Sequence, residues 1–246
     1  MRLGVSIGPF PESVEDVPSD FDFVELSIGE HEIDPEKIDR EELEKVLDEK
    51  GFDLVVHLPF RQPLATTVPE LNEANRDYLD RLLSFSSEFG ASKAVVHANL
   101  RDPDSEEELE ELESQVERVD ELGTQHDIEV CFENVRHVDT PELMELGEIL
   151  ENADASMCFD IGHAFISADE DEVAEFLESH RDLVSHLHVH DIRDRGDSHI
   201  AVGEGNIDFA DLAEELSGFD GSVCFELFTD DMDYVELSRD KFLQHF

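Results

Sequence analysis

Histidines and carboxylates recur at one particular place along this chain, the carboxyl ends of short apolar runs. His57 lies in "FDLVVHLPF", His97 in "SKAVVHANL" and Glu133 in "IEVCFENV". Asp160 and His163 end "ASMCFDIGHA", His188 sits near the end of "LVSHLHVHD", and Glu226 ends "GSVCFELF". Glu25 occupies the second run, "FDFVELSI". Asp197 and His199 follow in "DSHIAVGEGNIDF", ahead of a Gly-Glu-Gly. Imidazole and carboxylate together are the ligand types for Zn, Mn, Fe or Co rather than Ca. Each residue alone has a plainer role: a hydrogen-bonded core histidine, a surface loop or, for Glu25, an ion pair with an arginine. Their recurrence at equivalent positions is what favours a divalent-metal site.

Three runs share a local pattern, "CFEN", "CFDI" and "CFEL". Side chains alternate along a strand, so Cys131 and Glu133 face one side and Phe132 the other. The same holds for Cys158 with Asp160 and for Cys224 with Glu226. Placing the phenylalanines under helices turns cysteine and acid toward a common axis. Three carboxylates in one narrow space must be protonated, paired or bound to cations. His186, His188 and His190 share one strand face; His188 lies at the expected depth, and His186 and His190 are expected to be supporting or exposed.

The positioning elements follow from periodicity. Eight β-rich runs, beginning with "RLGVSIG", alternate with amphipathic helical patterns. In "SEEELEELESQVERVDELGTQH", Leu109, Leu112, Val116, Val119 and Leu122 recur at helical spacing. "DTPELMELGEILE" offers Asp139 or Thr140 as a cap, with proline in the first turn. "PESVEDVPSD", after the first run, allows only a turn or two. Eight such repeats in 246 residues predict a single-domain (β/α)8 TIM barrel over residues 1–246. Its site lies at the carboxyl ends of the strands. No GxGxxG follows the first strand, which disfavours a doubly wound sheet.

Composition bounds the partners. The chain carries 65 acidic and 17 basic residues, a formal net charge of −48. No basic stripe is available to neutralise nucleic-acid phosphates. The acid excess and scarce lysine resemble proteins of salt-loving archaea, whose surface repulsion concentrated salt screens. Cys131, Cys158 and Cys224 lack CxxC spacing and fit reduced, buried thiols in the cytoplasm. No run reaches transmembrane length. Nucleic acid is therefore disfavoured as a partner, and the oligomeric state, a homo-oligomer included, is left open.

In order and type these motifs resemble the xylose isomerase-like TIM-barrel superfamily, which includes endonuclease IV and many sugar phosphate isomerases and epimerases. "VVHLPF" and "AVVHANL" resemble its third and fourth strands. "CFENV", "CFDIGHAF", "HVHD", "DSHIAVGEGNIDF" and "CFELF" resemble the later ones, so the likeness spans nearly the whole chain. The endonuclease IV pattern implies a three-metal ligand set of His57, His97, Glu133, Asp160, His163, His188, Asp197, His199 and Glu226. The isomerase pattern implies fewer ions, zinc or manganese, on Glu133, Asp160, His188 and Glu226. Gly203 and Gly205 would let the backbone turn tightly beside the site.

Two activities are implied. The first is a metal-dependent isomerase or epimerase acting on a sugar or sugar phosphate through an enediolate. Glu133 and Glu226 would move the proton, His163 would orient a hydroxyl, and Glu25, Arg193 and Arg195 would contact substrate. The second is an endonuclease IV-type phosphodiesterase acting on abasic DNA, the one reading with a nucleic-acid partner. Phe60 stands where that pattern has tyrosine, and its basic DNA-gripping loops are not visible. A barrel that binds metal without catalysis is a third reading, and no eroded ligand position supports it.

Overall fold

Eight parallel strands close on themselves in the computed structural model, which describes residues 1–30, 32–136 and 140–246. They are β1 (Arg2–Ser6), β2 (Phe23–Ser27), β3 (Asp53–His57), β4 (Lys93–His97), β5 (Glu129–Glu133), β6 (Ser156–Asp160), β7 (Val184–Val189) and β10 (Ser222–Phe225). Each pairs with the next in chain order and β10 returns to β1, so no barrel edge is left open. Two further strands, β8 (Asp191–Arg193) and β9 (Gly196–Ile200), form an antiparallel hairpin after β7. The fold is the expected (β/α)8 barrel; the hairpin is an addition, and it puts Asp197 and His199 on a strand rather than in an irregular loop.

The alternation read from "CFE" and "CFD" is realised. Cys131, Cys158 and Cys224 fill the barrel interior with Phe23, Val55 and Val95. Phe132, Phe159 and Phe225 join the outer apolar layer with helix residues such as Leu112, Val116, Phe176 and Phe242. All three cysteines are free and buried.

The wrapping helices are α1 (Arg40–Lys50), α2 (Pro69–Glu88), α3 (Glu106–Gln125), α4 (Leu143–Asn152), α5 (Ile161–Ser167), α6 (Glu170–His180), α7 (Phe209–Glu215) and α8 (Met232–Phe242). Their starts are encoded locally. Asp39, Ser105, Asp169, Asp208 and Asp231 accept first-turn N–H bonds at α1, α3, α6, α7 and α8. Each such cap contributes about 1 kcal/mol. On α3, Leu112, Val116 and Val119 are fully buried, with Leu109 and Leu122 flanking them. The expected cap of α4 is not used: Asp139 lies outside the described residues, and the Thr140 hydroxyl donates to the Val135 carbonyl instead. Glu142 takes the cap position without a side-chain bond. After β1 there is a single 3-10 helix, Pro11–Asp16, matching the short pattern there. No helix among the described residues is long and apolar enough to cross a membrane.

Candidate metal centre

The strand ends converge on Glu133. At the close of β5, its Oε2 lies 3.2 Å from His57 Nε2 on β3 and 3.1 Å from His97 Nε2 on β4. Its Oε1 faces the other way, 3.3 Å from His188 Nδ1 and 3.6 Å from His163 Nδ1. The register explains this: His97 is level with Glu133, and Asp160 is level with His188. Three of the resulting groups lie at these strand ends, two of them sharing Glu133. Glu133, Asp160, His188 and Glu226 form one; His57, His97 and Glu133 a second; His163, His190, Asp197 and His199 a third. Within each, the ligand atoms lie inside 4.8 Å of one another.

Local sequence builds each position. Asp160 ends β6 and caps α5, its Oδ1 accepting the His163 N–H at 2.6 Å. That cap fixes the Asp-x-x-His spacing and brings the His163 ring to the cluster. Asp160 Oδ2 is buried without a hydrogen-bond partner, its nearest counter-charge being His188 Nδ1 at 3.9 Å, so the carboxylate keeps one lone-pair edge for a ligand. Asn134 clamps this end of the sheet, exchanging two 2.9 Å bonds with the Asp160 backbone. Gly162 is required because a Cβ there would fall 2.0 Å from the His190 ring. His190 is buried rather than exposed, donating to Asp160 Oδ1 at 3.1 Å and stacking on His199 at 3.7 Å.

The Gly-Glu-Gly segment wraps the buried carboxylate of Asp191. The N–H groups of Ile192, Gly203, Gly205 and Ile207 all donate to it, at 2.8 to 3.2 Å. A side chain at Gly205 would overlap Asp191 Oδ1 at 2.2 Å. Asp191 thus anchors the base of the hairpin. His199, with φ of 40°, is held by a 3.0 Å bond from Nδ1 to the Glu226 carbonyl, and its Nε2 lies 3.0 Å from Asp197.

The electrostatics show what the cluster demands. Three carboxylates within 4.8 Å repel by roughly 3–4 kcal/mol per pair at an effective dielectric of about 20. The sum rivals the stability of a whole domain, so positive charge must compensate. Burial opposes charging of His57, yet the hydrogen bond and charge of Glu133 raise it to about 9. His188 and His163 are held well above the ordinary histidine value against burial, by Glu25, Glu133 and Glu226 around His188 and by Asp160, Asp197 and Glu133 around His163. Burial wins at His97, which is lowered. The histidines in turn outweigh burial at the acids, holding Glu133 well below its usual range and Asp160 at about 2. A divalent cation fits this donor set: buried carboxylates, imidazole nitrogens on one side of them, and the unpartnered Asp160 Oδ2.

A cavity of about 910 Å³ opens above the cluster, lined by His57, His97, Glu133, His163, Asp197, His199 and Glu226. The three expected substrate contacts lie elsewhere. Glu25 sits one inward position below Ser27, which does line the cavity, and is fully buried. It accepts from His188 Nε2 at 3.0 Å, which leaves Nδ1 facing Glu133 and Glu226. Arg193 and Arg195 flank the hairpin tip, and the antiparallel return delivers Asp197, not the arginines, to the cavity. Arg193 donates to the Glu204 carbonyl at 2.8 Å, and Arg195 lines a separate groove with Phe165 and Asp169. The cavity's arginines are Arg61, Arg101 and Arg136, and Phe60 packs on His97 at 5.0 Å. Arg61 and Arg101 each lie four residues beyond a site histidine, the signal by which sequence could have found them.

Two outcomes follow. Glu25→Gln removes the charge that sets the His188 tautomer, so Mn²⁺ affinity measured calorimetrically drops by about tenfold or more with the fold intact; unchanged affinity removes Glu25 from this role. His57, charged below about 9, and His188, also raised, must lose protons to bind a metal. Metal uptake at neutral pH therefore releases protons, and apparent affinity climbs as pH rises toward about 9. Titration in buffers of different ionisation enthalpy reads this directly, and zero proton release would exclude the imidazoles as ligands.

Comparison with known proteins places the architecture. Residues 18–244 match the family described as xylose isomerase-like TIM barrel. The uncharacterized protein MJ1311 of Methanocaldococcus jannaschii is 28% identical over 92% of this chain and 83% of its own length. Among solved structures, a D-tagatose 3-epimerase-like protein aligns with a TM-score of 0.79 at 24% identity, covering 100% of this chain and 97% of the other. D-Psicose 3-epimerase with D-tagatose, from Clostridium cellulolyticum H10, aligns with a TM-score of 0.78 at 15% identity over 98% and 99%. At these identities the solved structures speak to fold. The family match covers nearly the whole barrel, and the chain belongs to the xylose isomerase-like TIM-barrel family.

Proposed function

We propose that this protein is a divalent-metal-dependent sugar isomerase or epimerase. One observation carries the reading: Glu133, Asp160, His188 and Glu226 bring four ligand atoms within 4.8 Å of one another below a concave cavity. The epimerase names borne by similar folds agree with it. Zn²⁺ or Mn²⁺ would be held by these four residues and, when bound, would supply Lewis-acid polarisation of adjacent substrate oxygens.

The chain's own groups do the rest. Glu133 and Glu226 stand on β5 and at the end of β10, separated around the barrel by β6 and β7. They can therefore approach a flat enediolate from different directions. One carboxylate takes the proton from the carbon beside the carbonyl and afterwards releases it to water; the other, ionised at rest, takes a proton from water and gives it to the opposite face of the enediolate. Both are ionised at neutral pH, Glu133 well below its usual range and Glu226 lowered, because His97, His188 and His199 outweigh burial. His163, 3.5 Å from Asp197, orients a substrate hydroxyl. Three free, buried thiols and a charge of −48 accord with a cytoplasmic enzyme suited to concentrated salt.

The flanking groups favour a second reading. His57, His97 and Glu133, with His163, Asp197 and His199, provide the donors for two further cations. That is the set expected of an endonuclease IV-type phosphodiesterase. The acidic surface opposes it, since a DNA backbone would be repelled except in concentrated salt.

A panel of ketoses and ketose phosphates incubated in D2O with Mn²⁺ discriminates the two. The proposal expects deuterium at carbon, falling by about a thousandfold in Glu133→Gln or Glu226→Gln. Nicking of an abasic duplex in concentrated KCl, with no exchange into any ketose, would overturn it in favour of the phosphodiesterase.

A further inference from the structure

We propose that the rim of the cavity is an anion subsite, in which Arg61 and Arg101 hold a phosphate monoester on the sugar substrate. The inference rests on the isomerase or epimerase reading and names its substrate class. Arg61, Arg101 and Arg136 stand in three successive loops, after β3, β4 and β5, and all line the same cavity. The chain has only 17 basic residues against 65 acidic ones. The acids lining this cavity, Glu133, Asp197 and Glu226, all belong to the candidate metal groups.

Arg61 and Arg101 are also available. Elsewhere Arg2, Arg40 and Arg239 are ion-paired to Asp53, Glu88 and Asp20. The exposed guanidinium groups of Arg61 and Arg101 have no ion-pair partner among the described residues. In a molecule of charge −48, two guanidinium groups without ion pairs bring positive charge into one cavity. Their planar donor forks match phosphate oxygens.

Asn99 adds a second requirement. It lines the cavity between His97 and Arg101, and its Nδ2 donates to the Phe60 carbonyl. Its Oδ1 is buried with no donor. An unmet buried acceptor costs roughly 1–3 kcal/mol, and a small rotation of the Asn99 side chain toward the cavity would let a sugar hydroxyl satisfy it. From His97 to Arg101 the chain spans at most about 14 Å. Cation ligand, hydroxyl acceptor and anion donor thus line one cavity, which would place the reacting end of a sugar phosphate deep and its phosphate outward. A polyanionic duplex would have to approach across the acidic exterior, which disfavours the phosphodiester alternative.

The test compares deuterium exchange by the Mn²⁺-loaded enzyme on D-ribulose and D-ribulose 5-phosphate, and on D-fructose and D-fructose 6-phosphate. Calorimetric binding of each phosphate runs alongside. The proposal expects kcat/KM to favour a phosphorylated ketose by about tenfold or more. Arg61→Gln combined with Arg101→Gln should bring that ratio near unity, and Arg61→Lys should retain part of it. Exchange into free ketoses with no preference for their phosphates would overturn the subsite and leave the epimerase reading standing. If no ketose exchanges, that reading fails. Binding then decides the subsite alone: sugar-phosphate binding lost in the double glutamine variant supports it, and binding that is absent or unaffected by the variant overturns it.

Discussion

Repulsion among carboxylates forced together at the carboxyl end of the barrel is the constraint on which the rest of the site depends. Glu133, Asp160 and Glu226 arrive there because strand alternation that buries Phe132, Phe159 and Phe225 outside the barrel leaves the acids facing in. Closure by β1 and β10 removes any route of escape. The imidazoles of His57, His97, His163 and His188 surround them, and protons or metal ions must provide the positive charge. Protons and cations then compete for the same nitrogens, which couples the site to pH.

Supporting interactions hold the acids where they would not otherwise stay. Asn134 ties β5 to β6, Asp160 caps α5, and Asp191 gathers four N–H groups to anchor the hairpin that delivers Asp197 and His199. Glu25 lies deeper, under His188, with one oxygen unpartnered. Its worth is orientation: a buried carboxylate behind an imidazole fixes which nitrogen would face a bound cation. The arginines of the rim work at larger scale, placing positive charge at the opening of an otherwise strongly acidic molecule.

The fold was legible in the sequence because eight runs alternate with helical periodicity and because the Cys-Phe-acid triplets declare which face is which. The convergence of Glu133, Asp160, His188 and Glu226 followed from the same alternation. What escaped was set by depth and by connection geometry. Glu25 and Ser27 are two residues apart on one face, and only the register across β2 and β3 shows that Ser27 reaches the cavity and Glu25 does not. Arg193 and Arg195 follow β7 directly, as a substrate-gripping residue should, but an antiparallel hairpin moves them off the cavity lining. Arg61 and Arg101 sit in loops without periodicity. His190 was open to burial or exposure until Gly162 showed the space made for its ring.

The central claim is that Glu133 is the shared carboxylate of a cation site. Anomalous diffraction at the manganese edge from crystals grown with Mn²⁺ tests it most directly. The account predicts a peak bounded by Glu133, Asp160, His188 and Glu226, at ligand distances of about 2.0–2.3 Å. Full-occupancy manganese elsewhere on the acidic surface, with this cluster holding none and its histidines paired only to carboxylates, would contradict it.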